Sequence, residues 1–203
     1  MYKSTFADKY VKMSNAGKLI IFSAPSGAGK TTLVREILKN EIFRLEFSVS
    51  ACSRTKRTHE IHGKDYYFLS VPEFKEKITE NAFVEWEEVY SDSFYGTFKH
   101  EVERIRNNGR NVVFDVDVKG GLNIKNQFDG EALSLFVMPP SIAELEKRLR
   151  NRSTDNDESI KKRLAKAEYE ITFAEKFDQI IINDKLETAV RDAKSAIEKF
   201  LNL

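Results

Sequence analysis

The sequence lacks several features that would define its class. It contains one cysteine, Cys52, so no disulfide can form within the chain, and it has no apolar stretch long enough for a membrane span or a signal sequence. It also shows no internal repeat and no low-complexity tract. We therefore expect a cytoplasmic protein without a membrane anchor.

The chain also lacks an excess of charge of either sign. Its 33 lysine and arginine residues balance 32 aspartate and glutamate residues, which gives a formal net charge of +1. This balance gives no global reason to bind nucleic acid or a membrane surface, so an anion site has to be built by local clustering. We expect small-molecule ligands and a monomer or homodimer, because a charged surface with scattered apolar residues permits either state.

What the sequence does have is enough apolar residues for one core. With 203 residues and 41% hydrophobic content, we expect one α/β unit carrying small inserted lobes rather than two independent domains. Residues 1–17 are polar and show no helical or strand periodicity. We therefore expect a flexible N-terminal extension before a domain at 18–203.

Apolar runs and helical periodicity alternate along this domain. Continuous apolar runs, typical of strands buried on both faces of a parallel sheet, occur at Leu19–Ser23, Phe47–Ala51, Asn111–Val116, Ala132–Met138 and Gln179–Ile182. Helix-period stretches lie between them at Thr31–Asn40, His100–Asn107, Ile142–Arg152 and Leu186–Leu201. The alternation predicts an α/β fold, a three-layer sandwich with a parallel sheet as its core.

One segment that interrupts the alternation is rich in Tyr, Phe, Thr and Ser. It covers residues 50–98, with strand patterns at Tyr66–Leu69 and Phe83–Tyr90 on either side of a predicted helix Pro72–Glu80. We interpret it as an inserted α+β lobe for a second substrate.

A second interruption, residues 148–176, predicts a charged helical hairpin broken at 153–157. Asp155 followed by Glu158 resembles a capping box that would open the second helix. We interpret the hairpin as a mobile helical lid. The sheet core then comprises residues 18–49, 99–147 and 177–203.

The first strand runs into a small-residue loop that closes on Gly-Lys-Thr-Thr. In such a phosphate-binding P-loop, backbone N–H groups converge on triphosphate oxygens, the lysine reaches the β- and γ-phosphates, and the next hydroxyl binds Mg²⁺. Ala24 replaces the first glycine of the pattern, which weakens the match but not the mechanism, because the later glycines remain. A surface turn with small residues is the alternative. The predicted ATP-binding residues of this loop are Ala24, Pro25, Ser26, Gly27, Ala28, Gly29, Lys30, Thr31 and Thr32.

The inserted lobe carries residues suited to a nucleoside monophosphate. Arg54 and Arg57, near tyrosine hydroxyls, form a candidate clamp for one phosphate, because a guanidinium matches phosphate oxygens bidentately. Glu85 lies among aromatic residues, where its carboxylate can accept two hydrogen bonds from guanine, which has N1–H and an exocyclic amine. The structural alternatives are a solvated basic loop and a surface glutamate.

Several separated motifs resemble guanylate kinase in order and spacing, over about residues 18–201. They are Ser23-Ala-Pro-Ser-Gly-Ala-Gly-Lys30, Phe47-Ser-Val-Ser50, Arg54-x-x-Arg57, Gly63-Lys-Asp-Tyr66, Phe83-Val-Glu85-Trp, Tyr95-Gly-Thr97, Asp115-Val-Asp117-x-x-Gly120, Pro139-Pro-Ser141, Arg148-x-x-x-Arg152, Lys162-Arg163-Leu and Ile182-Asn-Asp184. The resemblance implies a P-loop kinase that transfers the γ-phosphate of ATP to GMP or dGMP with Mg²⁺, giving ADP and GDP.

The resemblance also implies residue roles. It places the GMP phosphate at Ser50, Arg54, Arg57, Tyr66 and Tyr95, and the guanine base at Glu85 and Thr97, with Asp117 near the base and Asp115 near the metal and phosphates. It implies a catalytic set of Lys30, Arg54 and the lid arginines Arg148, Arg152 and Arg163, ATP binding by Asn183, and Mg²⁺ binding by Thr31.

The sequence departs from the family's usual residues at a few positions. Cys52 and Ser53 stand where a Thr-Thr pair is usual, Lys119 where Gln is frequent, and Ser153 where Gly is frequent. Two other functions are alternatives to a guanylate kinase. One is a binding module on the same fold with no turnover, and the other is a P-loop kinase for AMP or UMP. Lys30 argues against the first, and Glu85 against the second.

Overall fold

The structure is a computed structural model that describes residues 16–151 and 157–203. Within these ranges no helix combines the length and the apolar character needed to cross a membrane. The described chain forms two sheets and seven α-helices.

A five-stranded parallel sheet forms the centre of the molecule. Its strands, in chain order, are β1 Leu19–Ser23, β2 Leu45–Phe47, β7 Asn111–Val116, β8 Ala132–Met138 and β9 Gln179–Ile182. They lie in the order β2-β7-β1-β8-β9. Every residue of β1 is buried, and Ile21 pairs with Phe114 on one side and Ser134 on the other. The apolar runs therefore predicted four of the five strands with the observed bounds, and the α/β fold with a parallel core is confirmed.

The predicted strand Phe47–Ala51 is wrong, because the chain changes sheets there. β2 ends at Phe47, and Ser48 adds one more bond from its N–H to the carbonyl of Val113 at 2.9 Å. Ala51 and Cys52 then form β3, a strand of the second sheet. Both pieces are apolar and extended, so the local pattern cannot reveal where the partner strand changes.

The second sheet has four strands, in the order β4-β3-β6-β5. They are β3 Ala51–Cys52, β4 Tyr67–Phe68, β5 Phe83–Tyr90 and β6 Ser93–Phe98, all inside the predicted lobe. Phe83 stacks between Phe74 and Phe98, with ring centroids 4.5 and 4.7 Å apart. This aromatic core fixes β5 and β6 as an antiparallel pair, on which Glu85 lies opposite Thr97.

Seven helices cover the sheets. They are α1 Lys30–Leu38, α2 Val71–Thr79, α3 Lys99–Asn107, α4 Val118–Gln127, α5 Ile142–Arg150, α6 Asp157–Ile171 and α7 Leu186–Leu201. The start of α2 is fixed by a capping box, since Ser70 accepts a bond from Glu73 N and the Glu73 carboxylate accepts one from Ser70 N at 2.6 Å. At the start of α5 the Ser141 side chain accepts a bond from Glu144 N, without the reciprocal bond of a capping box among the described contacts.

Helix α4 was not predicted, since Gly120 and Gly121 lower helix propensity at its start. The structure shows why glycine stands there. A Cβ on Gly121 would lie 2.2 Å from Ser23 Oγ, so the glycine lets α4 approach the end of β1. Close helix packing on the sheet therefore outweighs the local propensity.

The segment predicted as a lid contains the end of α5 and the whole of α6. The break at 153–157 is described only at Asp157, the first residue of α6, and the proposed cap Asp155 lies outside the described residues. The predicted helix Ile142–Arg152 ends at Arg150 in the described chain.

Candidate active site

One cavity of about 380 Å³ lies between the P-loop, the second sheet and helix α6. Residues from all three units line it. They are Ala24, Pro25, Ser26, Gly27, Gly29, Lys30, Thr31, Thr32, Ser50, Tyr66, Glu85, Glu87, Val89, Tyr95, Gly96, Asp115, Val116, Asp117, Arg163, Lys166 and Glu170. The structure therefore brings most of the predicted P-loop and lobe residues to a single space.

The loop after β1 has the conformation that its glycines permit. Gly27 and Gly29 have φ values of 95° and 91°, in the left-handed region. A Cβ on Gly29 would lie 2.4 Å from Asn183 Nδ2. Ala24, which replaces the first glycine of the pattern, is buried and is not among the residues with positive φ, so an alanine fits there.

Asn183 and Arg148 lie behind this loop rather than in the cavity wall. Asn183 Nδ2 donates to the carbonyl of Ala28 at 2.7 Å, and Arg148 Nη1 donates to the carbonyl of Asn183 at 3.0 Å. Arg148 Nε also bonds Glu144 at 3.2 Å. Asn183, directly after β9, therefore supports the loop, and Arg148 from α5 holds the backbone of Asn183.

Lys30, Thr31 and Asp115 form the polar floor of the cavity. Lys30 Nζ donates to the carbonyl of Val116 at 2.6 Å and forms an ion pair with Asp115. Thr31 Oγ1 donates to Asp115 Oδ2 at 3.0 Å. A hydroxyl beside a carboxylate is a hard-oxygen donor set of the kind Mg²⁺ prefers. Among the described residues no three His, Cys, Asp or Glu side chains cluster as a metal cage, and Mg²⁺ bound with nucleotide phosphates requires only one or two protein oxygens.

Glu85 forms part of the opposite wall, where it is only 7% exposed. Thr97 Oγ1 donates to Glu85 Oε1 at 2.8 Å. Burial is the main cause that raises the pKa of Glu85 to about 7; the bond from Thr97 lowers this pKa, and the negative charges of Asp117 and Glu87 also contribute to raising it. A Cβ on Gly120 would lie 2.7 Å from Glu85 Oε2, so this glycine leaves room for the carboxylate beside α4.

Asp117 marks the start of α4 at the same end of the cavity. Its side chain accepts a bond from Gly120 N at 2.7 Å, and its carbonyl accepts one from Ser23 Oγ at 3.0 Å. The carboxylate is therefore used in capping the helix as well as in lining the cavity.

Tyrosines line the lobe wall, whereas the two predicted phosphate-clamp arginines do not. Tyr66 and Tyr95 pack edge to face with ring centroids 6.1 Å apart, and burial raises the pKa of Tyr66 to about 12. The Arg54 guanidinium lies 5.0 Å from the Tyr66 ring centroid and binds Glu60 bidentately at 2.6 and 2.7 Å. Arg57 is exposed, and its backbone N–H donates to Glu60 at 2.8 Å.

The helix α6 covers the cavity from the side of the P-loop. Arg163 Nη1 lies 3.3 Å from Ser26 Oγ in a hydrogen bond that joins α6 to the loop. The predicted lid residue Arg152 lies outside the described residues. Of the three lid arginines, the structure therefore places Arg163 in the cavity wall and Arg148 behind the loop.

Six lining residues were not predicted as site residues: Glu87, Val89, Gly96, Val116, Lys166 and Glu170. Strand alternation could have found Glu87, because residues two apart on a strand face the same side as Glu85. Helical spacing could have found Lys166, one turn after Arg163. Glu170 is 7% exposed and burial raises its pKa, a placement that no local pattern signals.

Comparison with known proteins identifies the family of this chain. The family model described as Guanylate kinase matches residues 16–200. The chain belongs to the guanylate kinase family.

Similar proteins support this membership over nearly the whole chain. A guanylate kinase of Bacteroides fragilis is 54% identical over 186 residues, which cover 92% of this chain and 91% of that protein. A guanylate kinase of Bacteroides thetaiotaomicron is 51% identical over 199 residues, 98% of this chain and 97% of that protein. The crystal structure of guanylate kinase from Anaplasma phagocytophilum superposes with a TM-score of 0.73 at 27% identity, covering 92% of this chain and 88% of that one.

Proposed function

We propose that this guanylate kinase family member transfers the γ-phosphoryl group of ATP to GMP or dGMP, giving ADP and GDP or dGDP, in purine nucleotide metabolism in the cytoplasm. The observation that carries the proposal is the composition of a single cavity. A P-loop with Lys30 forms one end and the buried Glu85 carboxylate the other. A phosphate donor and a purine acceptor bound there would meet inside one enclosed space.

At the donor end, the backbone N–H groups of the loop from Ser26 to Gly29 would hold the ATP phosphates. Lys30 would leave its ion pair with Asp115 to contact the β- and γ-phosphates, where its charge offsets the charge that develops on transfer. Thr31 would hold Mg²⁺ through its hydroxyl, with Asp115 beside it. When bound, Mg²⁺ would neutralise part of the negative charge of the ATP phosphates. Asn183 contributes by supporting the loop at Ala28.

At the acceptor end, Glu85 would select guanine. Its ionised carboxylate can accept from both N1–H and the exocyclic amine of guanine, whereas adenine has no N1–H to offer. Thr97 fixes the orientation of the carboxylate through the 2.8 Å bond, and Asp117 supplies a further acceptor nearby. A buried acceptor left unpaired by the wrong base costs binding energy, which is the basis of discrimination.

The phosphate of GMP would lie against Ser50, Tyr66 and Tyr95, which line the lobe wall. Arg54 keeps N–H donors beyond those bound to Glu60 and Thr55, so it can bind a phosphate without losing its carboxylate partner. Arg57 would reach the phosphate only by turning from its exposed position.

Three units would cooperate in this reaction: a core of residues 18–49, 99–147 and 177–203, a GMP-binding lobe of 50–98, and a lid of 148–176. The lid would bring Arg148, Arg152 and Arg163 to the transferred phosphate. Arg163 already reaches the P-loop at Ser26. Closure of such a lid excludes water and so limits ATP hydrolysis without an acceptor.

The test is ADP formation from ATP and Mg²⁺ with GMP, AMP, UMP or CMP as sole acceptor, beside a reaction without acceptor. We expect turnover with GMP and a background rate with the others. Faster turnover with another monophosphate would overturn the role of Glu85. Nucleotide binding without any transfer would favour a binding module and contradict the proposed activity.

A further inference from the structure

The cavity wall carries more acidic than basic side chains, although both substrates are anions. Among its described residues, Glu85, Glu87, Asp115, Asp117 and Glu170 supply five carboxylates, whereas Lys30, Arg163 and Lys166 supply three cations. Mutual repulsion among carboxylates favours their neutral forms. A group that offsets one of these charges therefore affects the others.

Two carboxylates raise the pKa of Glu85 by their charge, Asp117 first and Glu87 second, and Glu87 is the one on the same strand. Glu85 and Glu87 are two apart on β5, so both side chains face the cavity. Glu87 lies opposite Tyr95, and Glu85 lies opposite Thr97, in the pairing of β5 with β6. The charge of Glu87 raises the pKa of Glu85.

Lys119 is the cation that meets Glu87. Its Nζ lies 3.0 Å from Glu87 Oε1, in an ion pair that joins the first turn of α4 to β5. The Lys119 side chain is 57% exposed and that of Glu87 is 26% exposed. The pair therefore connects the central-sheet unit to the second sheet, at the rim of the cavity rather than inside it.

Other groups also face Glu85, from each element packed around it. They are Glu87 from β5, Asp117 from α4, Thr97 and Tyr95 from β6, and Lys166 and Glu170 from α6, the last two across the cavity. The carboxylate of Glu87 is paired with a lysine from another element, Lys119. Lys119 and Glu87 therefore form an ion pair whose acidic member lies two residues along β5 from the buried Glu85.

We propose that Lys119 is a positioning residue for the base-reading end of the cavity: by pairing with Glu87 it offsets that charge and favours the ionised form of Glu85. The inference rests on the proposed function for its meaning, because the ionised form of Glu85 is the one that accepts both donors of guanine. Lys119 itself does not touch the cavity that would hold the substrates.

The direct test is a titration of Glu85 in the free protein, which needs no substrate. The side-chain carboxyl ¹³C resonance of Glu85, assigned by its loss in Glu85→Gln, is followed against pH in wild type, Lys119→Met, Glu87→Gln and the double variant. We expect Lys119→Met to raise the titration midpoint by about half a pH unit and Glu87→Gln to lower it by a similar amount. The double variant, which removes both charges, is expected to titrate near wild type.

Two control variants separate charge from structure. Lys75 on α2 has the same 57% side-chain exposure as Lys119 and pairs with Asp92 at 3.7 Å. Lys75→Met is expected to leave the titration midpoint of Glu85 unchanged. Lys119→Arg keeps the charge and is expected to match wild type. An unmoved midpoint in Lys119→Met, a shift of the same sign in Glu87→Gln, or an equal shift in Lys75→Met would overturn the proposal.

A second readout is the KM for GMP against pH. We expect Lys119→Met to move the rise in KM on acidification to a higher pH, with kcat at high pH unchanged. If wild type does not phosphorylate GMP, the proposed function fails while the titration still tests Lys119. If GMP is phosphorylated and the titration does not move, only the role of Lys119 fails.

Discussion

Thr97 donates a 2.8 Å hydrogen bond to Glu85, and the two residues lie directly opposite each other on β6 and β5. The pairing register therefore fixes the orientation of a carboxylate that is 7% exposed. A buried carboxylate held by one neutral donor keeps unused acceptor capacity, which is free for a ligand. This relationship is the structural basis for assigning the base-reading end of the cavity.

Burial of Glu85 predicts a pH-dependent stability. Its pKa is about 7 in the folded protein and near 4.5 when unfolded, so the folded state binds the proton more tightly. The stability contributed by the neutral form is present below the unfolded pKa and is lost as pH rises from about 4.5 to 7. Glu85→Gln, which cannot ionise, should gain stability over wild type by up to about 3 kcal/mol at pH 8 relative to pH 4.

Urea unfolding of both proteins at pH 4 and pH 8 measures this difference. Glu88→Gln is the matched control, because Glu88 lies on the same strand, directly after Glu87, and is exposed. Equal pH dependence in wild type and Glu85→Gln would contradict the raised pKa.

Lys30→Met should reduce kcat by at least about 100-fold, the range found when one preorganised donor to a developing charge is removed. The lysine is held at the cavity floor by Asp115 and the Val116 carbonyl, so it is already placed near the phosphates. Steady-state kinetics with ATP and GMP measure the loss. The control is Lys39→Met, which should retain activity. Lys39 is exposed, directly follows the helix that begins at Lys30, and pairs with Glu36. Unreduced kcat in Lys30→Met would refute the assigned role.

The two small-residue positions of the P-loop should respond in different ways. Gly29→Ala places a Cβ 2.4 Å from Asn183 Nδ2 on a residue with φ of 91°, so we expect a loss of about 1–3 kcal/mol in stability and a higher KM for ATP. Ala24→Gly, where no positive φ is required, should cost less than about 1 kcal/mol. Thermal unfolding and ATP titration compare the two. A larger effect at Ala24 than at Gly29 would show that the loop geometry is misassigned.

The sequence predicted those parts of the fold that depend on local pattern. Continuous apolar runs fixed β1 and β7, because strands buried on both faces need no knowledge of their neighbours. Local pattern failed at Phe47–Ala51, where the chain passes between two sheets, and at α4, where Gly121 serves a tertiary contact with Ser23.

The candidate site divides in the same manner. The P-loop is contiguous in sequence, so its geometry could be predicted from Gly27, Gly29 and Lys30. The bidentate bonding of Arg54 to Glu60, which holds the pKa of Glu60 at about 2, could not, because nothing in the spacing indicates which carboxylate an arginine selects. The pairing of Lys119 with Glu87, 32 residues apart, depends on the packing of α4 against β5.

We propose that Glu85 accepts hydrogen bonds from the two donors of guanine. The most direct measurement is kcat/KM for GMP, IMP and AMP as acceptors, in wild type and in Glu85→Gln. IMP keeps N1–H but lacks the exocyclic amine, and AMP has no N1–H. We expect kcat/KM to fall in the order GMP, IMP, AMP in wild type, with each lost charge-assisted bond costing about 1.5–3 kcal/mol, or roughly 10- to 150-fold. In Glu85→Gln the advantage of GMP should shrink at both steps. An advantage of GMP over IMP and AMP that is unchanged in Glu85→Gln would contradict this role of Glu85.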